Sequence, residues 1–236
     1  SNSDLFFQMS EDVAATPTDV DYSELPTEVL KERLRKLNEK TPFNVEYNPV
    51  LEQVIKSFLK NRRSSLERLM SLSDYYFPMF EQEMSNQKIP LEMKYLAIIE
   101  SALNPKARSR AGATGLWQFM YATGKSYGLE VNNYVDERSD PVRSTKAAAK
   151  YLNELYKIFG DWDLTLAAYN SGPGNVTKAI RRSNGKTNYW NLRPYLPRET
   201  AGYVPAFLAT LYIFEYAKEH GFKPQKRANH LFQTDT

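Results

Sequence analysis

Apolar residues recur at the spacing of an amphipathic helix along most of the chain. The clearest stripe lies within 143–159, where one face carries Ala147, Ala148, Tyr151, Leu152, Leu155 and Phe159. Gly160 follows this stripe and is typical of a helix end. Sustained alternation of Val, Ile and Thr, the pattern of a half-buried strand, occurs nowhere. The pattern therefore predicts an all-α protein.

The same periodicity predicts further helices. Asn48-Pro49 is typical of a helix start, Pro78 indicates a kink or an end, and Asn184-Gly185 indicates a small hairpin or a loop. The predicted helices are 27–38, one beginning at Asn48, one carrying Leu66 to Phe80, 91–102, 115–127, 143–159, 161–169, 174–182 and 199–219. We divide the chain into an acidic arm, flexible or lying along the surface (1–44), a helical preface (45–90), a main domain (91–222) and a tail (223–236).

Charge is distributed unevenly along the chain. The 236 residues include 31 Lys or Arg and 28 Asp or Glu, a net charge of +3. Seven acidic residues and no basic ones lie in 1–30, so the remainder carries a net charge of +10. A basic body favours an anionic partner, such as a nucleic acid, an anionic lipid surface or an acidic wall polymer, while solubility alone explains the charge equally well. No run approaches the roughly 18 consecutive apolar residues of a membrane span.

Two residue types are scarce, and this narrows the chemistry. The chain has no cysteine, and its two histidines, His220 and His230, lie near the C-terminus. Thiol nucleophiles, disulfides and Cys-type zinc sites are therefore excluded, and a histidine base within the folded body is not expected. Acid–base catalysis then falls to Asp, Glu, Tyr or Lys. No cofactor and no metal site are predicted.

Glu100 is the strongest single candidate for such chemistry. It follows the apolar segment 96–99 at the end of a predicted helix. The partial negative charge of a helix C-terminus and apolar surroundings both raise the pKa of a carboxyl group. Glu100 is therefore a candidate general acid near neutral pH, but this segment alone favours an ordinary surface glutamate at a helix end.

A series of motifs surrounds Glu100 and continues through the main domain. They are Glu100-Ser101 with Asn104-Pro105, Ala111-Gly112-Ala113, Gly115-Leu116-Trp117-Gln118-Phe119-Met120, Asp136-Glu137-Arg138, Ala167-Ala168-Tyr169-Asn170 with Gly172-Pro173-Gly174, and Leu196-Pro197-Arg198-Glu199-Thr200 with Tyr203-Val204-Pro205. Over roughly 45–215, this order resembles the soluble-lytic-transglycosylase (goose-lysozyme-like) family, and within it the membrane-bound lytic murein transglycosylases of type D. The resemblance implies a lysozyme-like helical fold for 91–222, preceded by a helical extension.

The resemblance also implies a reaction. The family cleaves the β-1,4 bond between N-acetylmuramic acid and N-acetylglucosamine in peptidoglycan with a single catalytic glutamate, which matches Glu100. Most glycosidases use two carboxylates. In this family the C6 hydroxyl of the substrate is the nucleophile and its N-acetyl group assists at C1, so the product carries a 1,6-anhydro ring and no water is consumed.

Substrate contacts carry over from the family residue by residue. Ser109 matches a serine that contacts the N-acetyl group or the catalytic glutamate, and Tyr169 matches a tyrosine that points at the catalytic centre and can orient the acetamido group. Gln118 matches the cleft glutamine, and Asn170 matches a residue that braces its loop or contacts sugar. Glu199 matches the glutamate that begins the closing helix. Aromatic or apolar side chains that could pack on sugar faces are Trp117, Phe119, Met120, Tyr189, Trp190 and Tyr203; core packing explains Trp117 and Phe119 at least as well.

Two other functions remain open at this stage. A hydrolytic lysozyme on the same fold would need a second acid to activate water, and Asp136, Glu137 and Asp140 are the nearest candidates. We interpret Asp136-Glu137-Arg138 instead as an ion-paired structural corner. A non-catalytic wall-binding protein is the third alternative, and Glu100 with its accompanying motifs argues against it.

Partners and location are implied by the same resemblance. The expected partner is the peptidoglycan glycan strand, bound by a monomer, with no nucleic acid. The expected location is the periplasm or cell envelope of a bacterium, with an outer-membrane lipoprotein as the form of a longer protein. The chain lacks the lipidated cysteine that anchors membrane-bound members, so membrane contact is expected only through an anchor outside this chain.

Overall fold

A computed structural model describes residues 19–223, and they form helices joined by short loops. In chain order the α-helices are α1 (Thr27–Lys40), α2 (Pro49–Asn61), α3 (Arg63–Asn86), α4 (Leu96–Ser101), α5 (Tyr121–Ser126), α6 (Pro141–Phe159), α7 (Trp162–Ser171), α8 (Pro173–Arg182), α9 (Tyr189–Leu192) and α10 (Arg198–Glu215). Short 3-10 helices lie at Leu91–Tyr95, Glu137–Ser139 and Arg193–Tyr195. Residues 19–223 contain isolated β-bridges but no strand, so the all-α prediction is confirmed.

The predicted arm and the predicted tail each lie partly outside the described residues. Residues 1–18 belong to the predicted acidic arm, and 224–236 make up nearly all of the predicted tail. The division into arm, preface, main domain and tail therefore stays a prediction. Within 19–223, no helix is both long enough and apolar enough to cross a membrane.

Most helix predictions are confirmed, and the exceptions have local causes. Helix α3 runs through Pro78 to Asn86, because buried side chains on both sides of the proline offset its missing backbone donor. The predicted helix over 115–127 is wrong in its first half. Gly115 and Gln118 have φ of +90° and +52°, which no right-handed helix accepts, so only α5 forms there.

The closing helix is also shorter than predicted. It ends at Glu215 instead of 219, and hydrogen-bonded turns continue to Gly221, whose φ is +72°. The predicted 91–102 helix is divided into the 3-10 helix Leu91–Tyr95 and α4. Its C-terminal end is fixed by left-handed backbone at Ala102 and Leu103.

The chain forms two compact units, which we describe separately. The first contains Arg62–Asn153 and residues 214–223. Its core gathers the buried face of α3, the buried helix α4 and the fully buried Trp117. The rings of Phe80 and Trp117 meet edge to face with their centroids 4.9 Å apart, and those of Tyr95 and Phe214 are 5.1 Å apart. These aromatic pairs and the buried residues of α4 belong to the same core.

The second unit contains residues 19–61 and Glu154–Ile213. Its core includes the apolar stripe of α1 at Leu30, Leu34 and Leu37, together with most of α10. The rings of Phe43 and Phe207 lie 5.1 Å apart within this core. Helix α7 begins with Asp161 as its N-cap, whose carboxylate accepts a hydrogen bond from the Leu164 amide at 2.9 Å.

Candidate active site

Glu100 lies near the end of α4 in the first unit. Every other residue of this six-residue helix is buried, whereas Glu100 is half-buried. The hydroxyl of Ser101 donates to the carbonyl oxygen of Ala97 at 2.8 Å, which uses its polar atom inside the helix. The amide of Ala102 donates to the carbonyl of Ile98 at 2.9 Å as the chain turns away. Glu100 therefore presents the one partly exposed carboxyl group of a rigid, buried helix.

The loop that follows α4 carries Ser109 and Gln118. The hydroxyl oxygen of Ser109 accepts a hydrogen bond from the Ala113 amide at 3.0 Å, and the Ser109 amide donates to the Ala113 carbonyl at 2.9 Å. Ser109 is half-buried, and its hydroxyl hydrogen remains able to donate. The loop thus holds a serine hydroxyl in a defined orientation.

Gln118 is held by the same loop. Its Nε2 donates to the carbonyl oxygens of Ala107 and Gly115, at 3.1 Å and 2.9 Å. Both amide hydrogens are used by these two bonds, so the side-chain oxygen is the atom left to accept from a ligand. The backbone of Gln118 has a φ of +52°, which is uncommon for a residue other than glycine, and the two hydrogen bonds of its side chain stabilise this conformation.

The buried Arg138 side chain donates hydrogen bonds to the backbone of this loop. Its side chain is 4% exposed, and Nη1 donates to the carbonyl oxygens of Gly112 and Phe119, at 3.1 Å each. Nε and Nη2 donate to the two oxygens of Asp136 at 2.9 Å and 2.8 Å. These bonds lower the pKa of the Asp136 carboxyl, against a smaller opposing effect of burial. The Arg138 backbone also approaches Gly115 so closely that a Cβ there would lie 1.9 Å from the Arg138 carbonyl oxygen.

The acids considered as water-activating groups all have structural partners. Asp136 pairs with Arg138 through both oxygens. The Glu137 carboxylate accepts from the Glu130 amide at 2.7 Å and pairs with Arg143 at 2.9 Å. Asp140 precedes α6 and accepts from the Arg143 amide at 2.8 Å. The interpretation of Asp136-Glu137-Arg138 as an ion-paired corner is therefore confirmed.

The second unit holds the other predicted contacts. Tyr169 and Asn170 lie half-buried in the last turn of α7. The Nδ2 of Asn170 donates to Oε1 of Glu199 at 3.0 Å, so two predicted site residues that are 29 positions apart are in direct contact. The hydroxyl of Thr200 donates to Oδ1 of Asn170 at 2.8 Å. Sequence analysis did not assign a role to Thr200; its place in the Arg198-Glu199-Thr200 motif was the available signal.

The aromatic and apolar side chains considered for sugar contact differ in their exposure. Met120 is 47% exposed and Trp190 is half-buried. Trp117 and Phe119 are buried at 0% and 3% exposure, which supports core packing, and Nε1 of Trp117 donates to the hydroxyl of Thr145 at 2.9 Å. Tyr189 and Tyr203 are 2% and 3% exposed. Their suggested contact with sugar stays a prediction.

A second unusual carboxyl group, that of Asp163, lies in the first turn of α7. It is 3% exposed; its Oδ1 accepts from the Asn44 amide at 3.1 Å, and no donor reaches its Oδ2 within the described residues. Burial and, to a smaller extent, the charge of Asp161 raise the pKa of Asp163 to about 7, against the hydrogen bond from Asn44. Among residues 19–223, no group of three or more His, Asp or Glu is arranged to hold a metal ion.

Comparison with known proteins identifies the domain. Residues 78–192 match the family described as the transglycosylase SLT domain, and this range includes Glu100, Ser109, Gln118 and Asn170. The chain is 37% identical over 191 residues to the membrane-bound lytic murein transglycosylase D of Escherichia coli K12, a match that covers 79% of this chain and 42% of the relative. It is 32% identical over 148 residues to the soluble lytic murein transglycosylase of the same strain, covering 60% and 23%. This chain thus spans less than half the length of both relatives.

The fold has a counterpart among solved structures. The 70 kDa soluble lytic transglycosylase of Escherichia coli aligns over 89% of this chain and 38% of its own, with a TM-score of 0.52 and 24% identity. At that identity the likeness concerns the fold, which is all-α and lysozyme-like. The chain carries a transglycosylase SLT domain and is homologous to the lytic murein transglycosylases of types D and Slt.

Proposed function

We propose that this protein is a lytic transglycosylase that cleaves the N-acetylmuramic acid–β-1,4–N-acetylglucosamine bond of peptidoglycan and leaves 1,6-anhydro ends. The observation that carries the proposal is the setting of Glu100, a partly exposed carboxyl on an otherwise buried helix. The neighbouring acids Asp136, Glu137 and Asp140 have structural partners. Glu100 is therefore the candidate for the proton transfers, and one such carboxyl group suffices for a transglycosylase, whereas most glycosidases use two.

The reaction uses Glu100 twice. The Glu100 carboxyl gives its proton to the glycosidic oxygen as the bond from that oxygen to C1 breaks, and the substrate's N-acetyl oxygen stabilises the positive charge at C1. The C6 oxygen of the same sugar then bonds to C1, and its proton returns to the Glu100 carboxylate. Attack by a group within the substrate has a large proximity advantage, so no base for water is required.

The polar groups of the site suit an N-acetylated glycan. The Ser109 hydroxyl is available to donate, and the Gln118 side-chain oxygen to accept, toward acetamido and hydroxyl groups. Tyr169 is proposed to act on the acetamido group, and Asn170 with Glu199 on a sugar of the strand. Met120 offers an exposed apolar surface. Tyr203 and Trp190 are retained as further proposed sugar contacts.

The location proposed for this activity is the bacterial cell envelope. The relatives it matches are named as membrane-bound and as soluble murein transglycosylases. A monomer acting on glycan strands in the periplasm is consistent with these names and with the excess of basic residues in 31–236. Attachment to a membrane would depend on an anchor in a longer protein.

The test is to weigh the products of a peptidoglycan digest. The wild-type protein should release muropeptides that end in 1,6-anhydro-N-acetylmuramic acid, lighter by one water than lysozyme products. Glu100→Gln should lose about 10²–10⁴-fold in rate, or more because one group makes both proton transfers, while its circular dichroism stays unchanged. Glu154→Gln, the same substitution at an exposed residue that pairs with Lys157, is the matched control.

Two outcomes would contradict the proposal. An E100Q protein with near wild-type rate would remove Glu100 from the mechanism. Reducing ends that incorporate oxygen-18 from labelled water would identify a hydrolase instead, and a water-activating acid would then have to be sought.

A further inference from the structure

The polar cluster at the start of α10 contains a residue with no assigned role, Thr200. Its hydroxyl donates to Oδ1 of Asn170 at 2.8 Å, and Nδ2 of Asn170 donates to Oε1 of Glu199 at 3.0 Å. Thr200 is 1% exposed, so its hydroxyl cannot exchange this partner for bulk water. Two successive hydrogen bonds thus join Thr200 to the Glu199 carboxylate.

The first bond determines the orientation of the Asn170 amide. An asparagine side chain presents an acceptor on one side and a donor on the other, and the two are nearly equal in shape. The Glu199 carboxylate can only accept, so the amide nitrogen faces it, and the Thr200 hydroxyl donates to the amide oxygen on the other side. Without the hydroxyl, the amide oxygen loses this donor, and the bond to Glu199 alone no longer fixes the plane of the amide.

The backbone beneath Thr200 is well anchored. The single hydrogen of the buried Tyr189 hydroxyl is shared between the carbonyl oxygens of Thr200 and Ala201, at O–O distances of 3.3 Å and 3.1 Å. Nε of Arg193 donates to the Ala201 carbonyl at 2.9 Å. The first turn of α10 is therefore held by side chains from the preceding segment, and the Thr200 hydroxyl is a fixed point from which the next two groups are oriented.

We infer that Thr200 is a positioning residue for the transglycosylase site: it orients the Asn170 amide, and through it the Glu199 carboxylate, for contact with the glycan. This rests on the proposed function, in which Glu199 binds a sugar of the strand. Because Glu199 is assigned to binding and not to proton transfer, removing the Thr200 hydroxyl should weaken the binding of substrate and transition state equally. The effect then falls on KM and not on kcat.

The experiment compares Thr200→Val, which keeps the side-chain shape and removes the hydroxyl, with Thr200→Ser, which keeps the hydroxyl. Release of anhydro fragments from defined peptidoglycan oligosaccharides is measured. T200V should raise KM by about three- to tenfold, the effect of one ordinary hydrogen bond, with kcat within about twofold of wild type. T200S should restore KM.

A matched control lies in the same helix. Thr210 is fully buried in α10, and its hydroxyl donates to the Ala206 carbonyl at 2.9 Å, away from the Asn170 cluster. Thr210→Val therefore removes an equally buried hydroxyl and should leave KM unchanged. The inference is overturned if T200V keeps the wild-type KM, if T200S is as impaired as T200V, or if T210V raises KM equally.

A further readout separates this inference from the proposed function. The side-chain amide resonance of Asn170, assigned by its loss in Asn170→Asp, should shift in T200V and return in T200S. If wild-type protein releases no fragments, the proposed function fails, and this resonance alone decides whether Thr200 orients Asn170. An unshifted resonance in T200V overturns the positioning role even in an active enzyme.

Discussion

Replacing Arg138 with methionine removes a buried guanidinium group and keeps an apolar stem in its place. The native side chain is 4% exposed and makes four hydrogen bonds. Two go to the oxygens of Asp136 at 2.9 Å and 2.8 Å, and two go to the carbonyl oxygens of Gly112 and Phe119 at 3.1 Å. R138M removes all four of these donors, and methionine cannot supply one; the Gly112 and Phe119 carbonyls keep their bonds from the Thr114 hydroxyl and amide.

The cost follows from this geometry. Breaking a buried ion pair by removing one partner typically costs about 3–5 kcal/mol. Asp136 is 27% exposed and can regain water, which favours the lower part of that range, about 3–4 kcal/mol. For a chain of this size, each kcal/mol lowers Tm by about 2–4 °C, so the expected fall is roughly 6–16 °C.

Calorimetry measures this fall, and Arg143→Met is the matched control. Arg143 pairs with Glu137 at 2.9 Å, but its side chain is 64% exposed. Such surface pairs contribute about 0–1 kcal/mol, so R143M should lower Tm by less than about 4 °C. R138M should also lose wall-lytic activity well below its Tm, because the loop that carries Ser109 and Gln118 loses its anchor. Equal Tm values for the two variants, or full activity of R138M, would refute the reasoning.

Two further predictions concern the second unit. Tyr169→Phe should lower kcat roughly ten- to hundredfold with little change in KM, because it removes one hydrogen bond to developing charge. An unchanged kcat with a lowered Tm would instead indicate that the hydroxyl is structural. In the folded wild type the buried Asp163 carboxyl, with a pKa of about 7, keeps its proton at pH values where the unfolded chain releases it. The free energy of unfolding should therefore fall by about 2–4 kcal/mol as the pH rises from about 4 to about 7. Asp163→Asn should remove this pH dependence. Urea titrations of both proteins at pH 4.5 and pH 8 measure this, and parallel changes in the two proteins would exclude Asp163 as the source.

Features that depend on neighbours in sequence could be predicted. The stripe over 143–159 corresponds to α6, because burial of one face at a period of 3.6 is sufficient to specify a helix. The apolar segment before Glu100 made it a candidate, the motifs that follow it selected it, and the structure places it among buried residues. The turn residues before α2 and α7 behave as caps, since Asn48 and Asp161 accept from amides three positions later.

Features that depend on distant residues could not be predicted. The segment 115–127 has helical spacing, but the Arg138 carbonyl approaches Gly115 and the Gln118 backbone is left-handed, which excludes a helix there. Asp163 occupies the first turn of α7, where a carboxylate is ordinarily exposed, and only contact with the segment at Asn44 shows that it is buried. No local pattern carries information about a partner 119 positions away.

Each unit orients its site residues by a polar residue buried beneath them. In the first, the Arg138 guanidinium holds the carbonyls of Gly112 and Phe119; in the second, the Thr200 hydroxyl holds the amide of Asn170. Apolar packing alone has no directional preference for one orientation of an amide or a carbonyl, whereas a hydrogen bond does. Variants that keep side-chain volume but remove these donors should therefore impair substrate turnover or binding more than Thr210→Val, which removes an equally buried hydroxyl elsewhere. This difference in activity distinguishes a loss of orientation from a loss of stability.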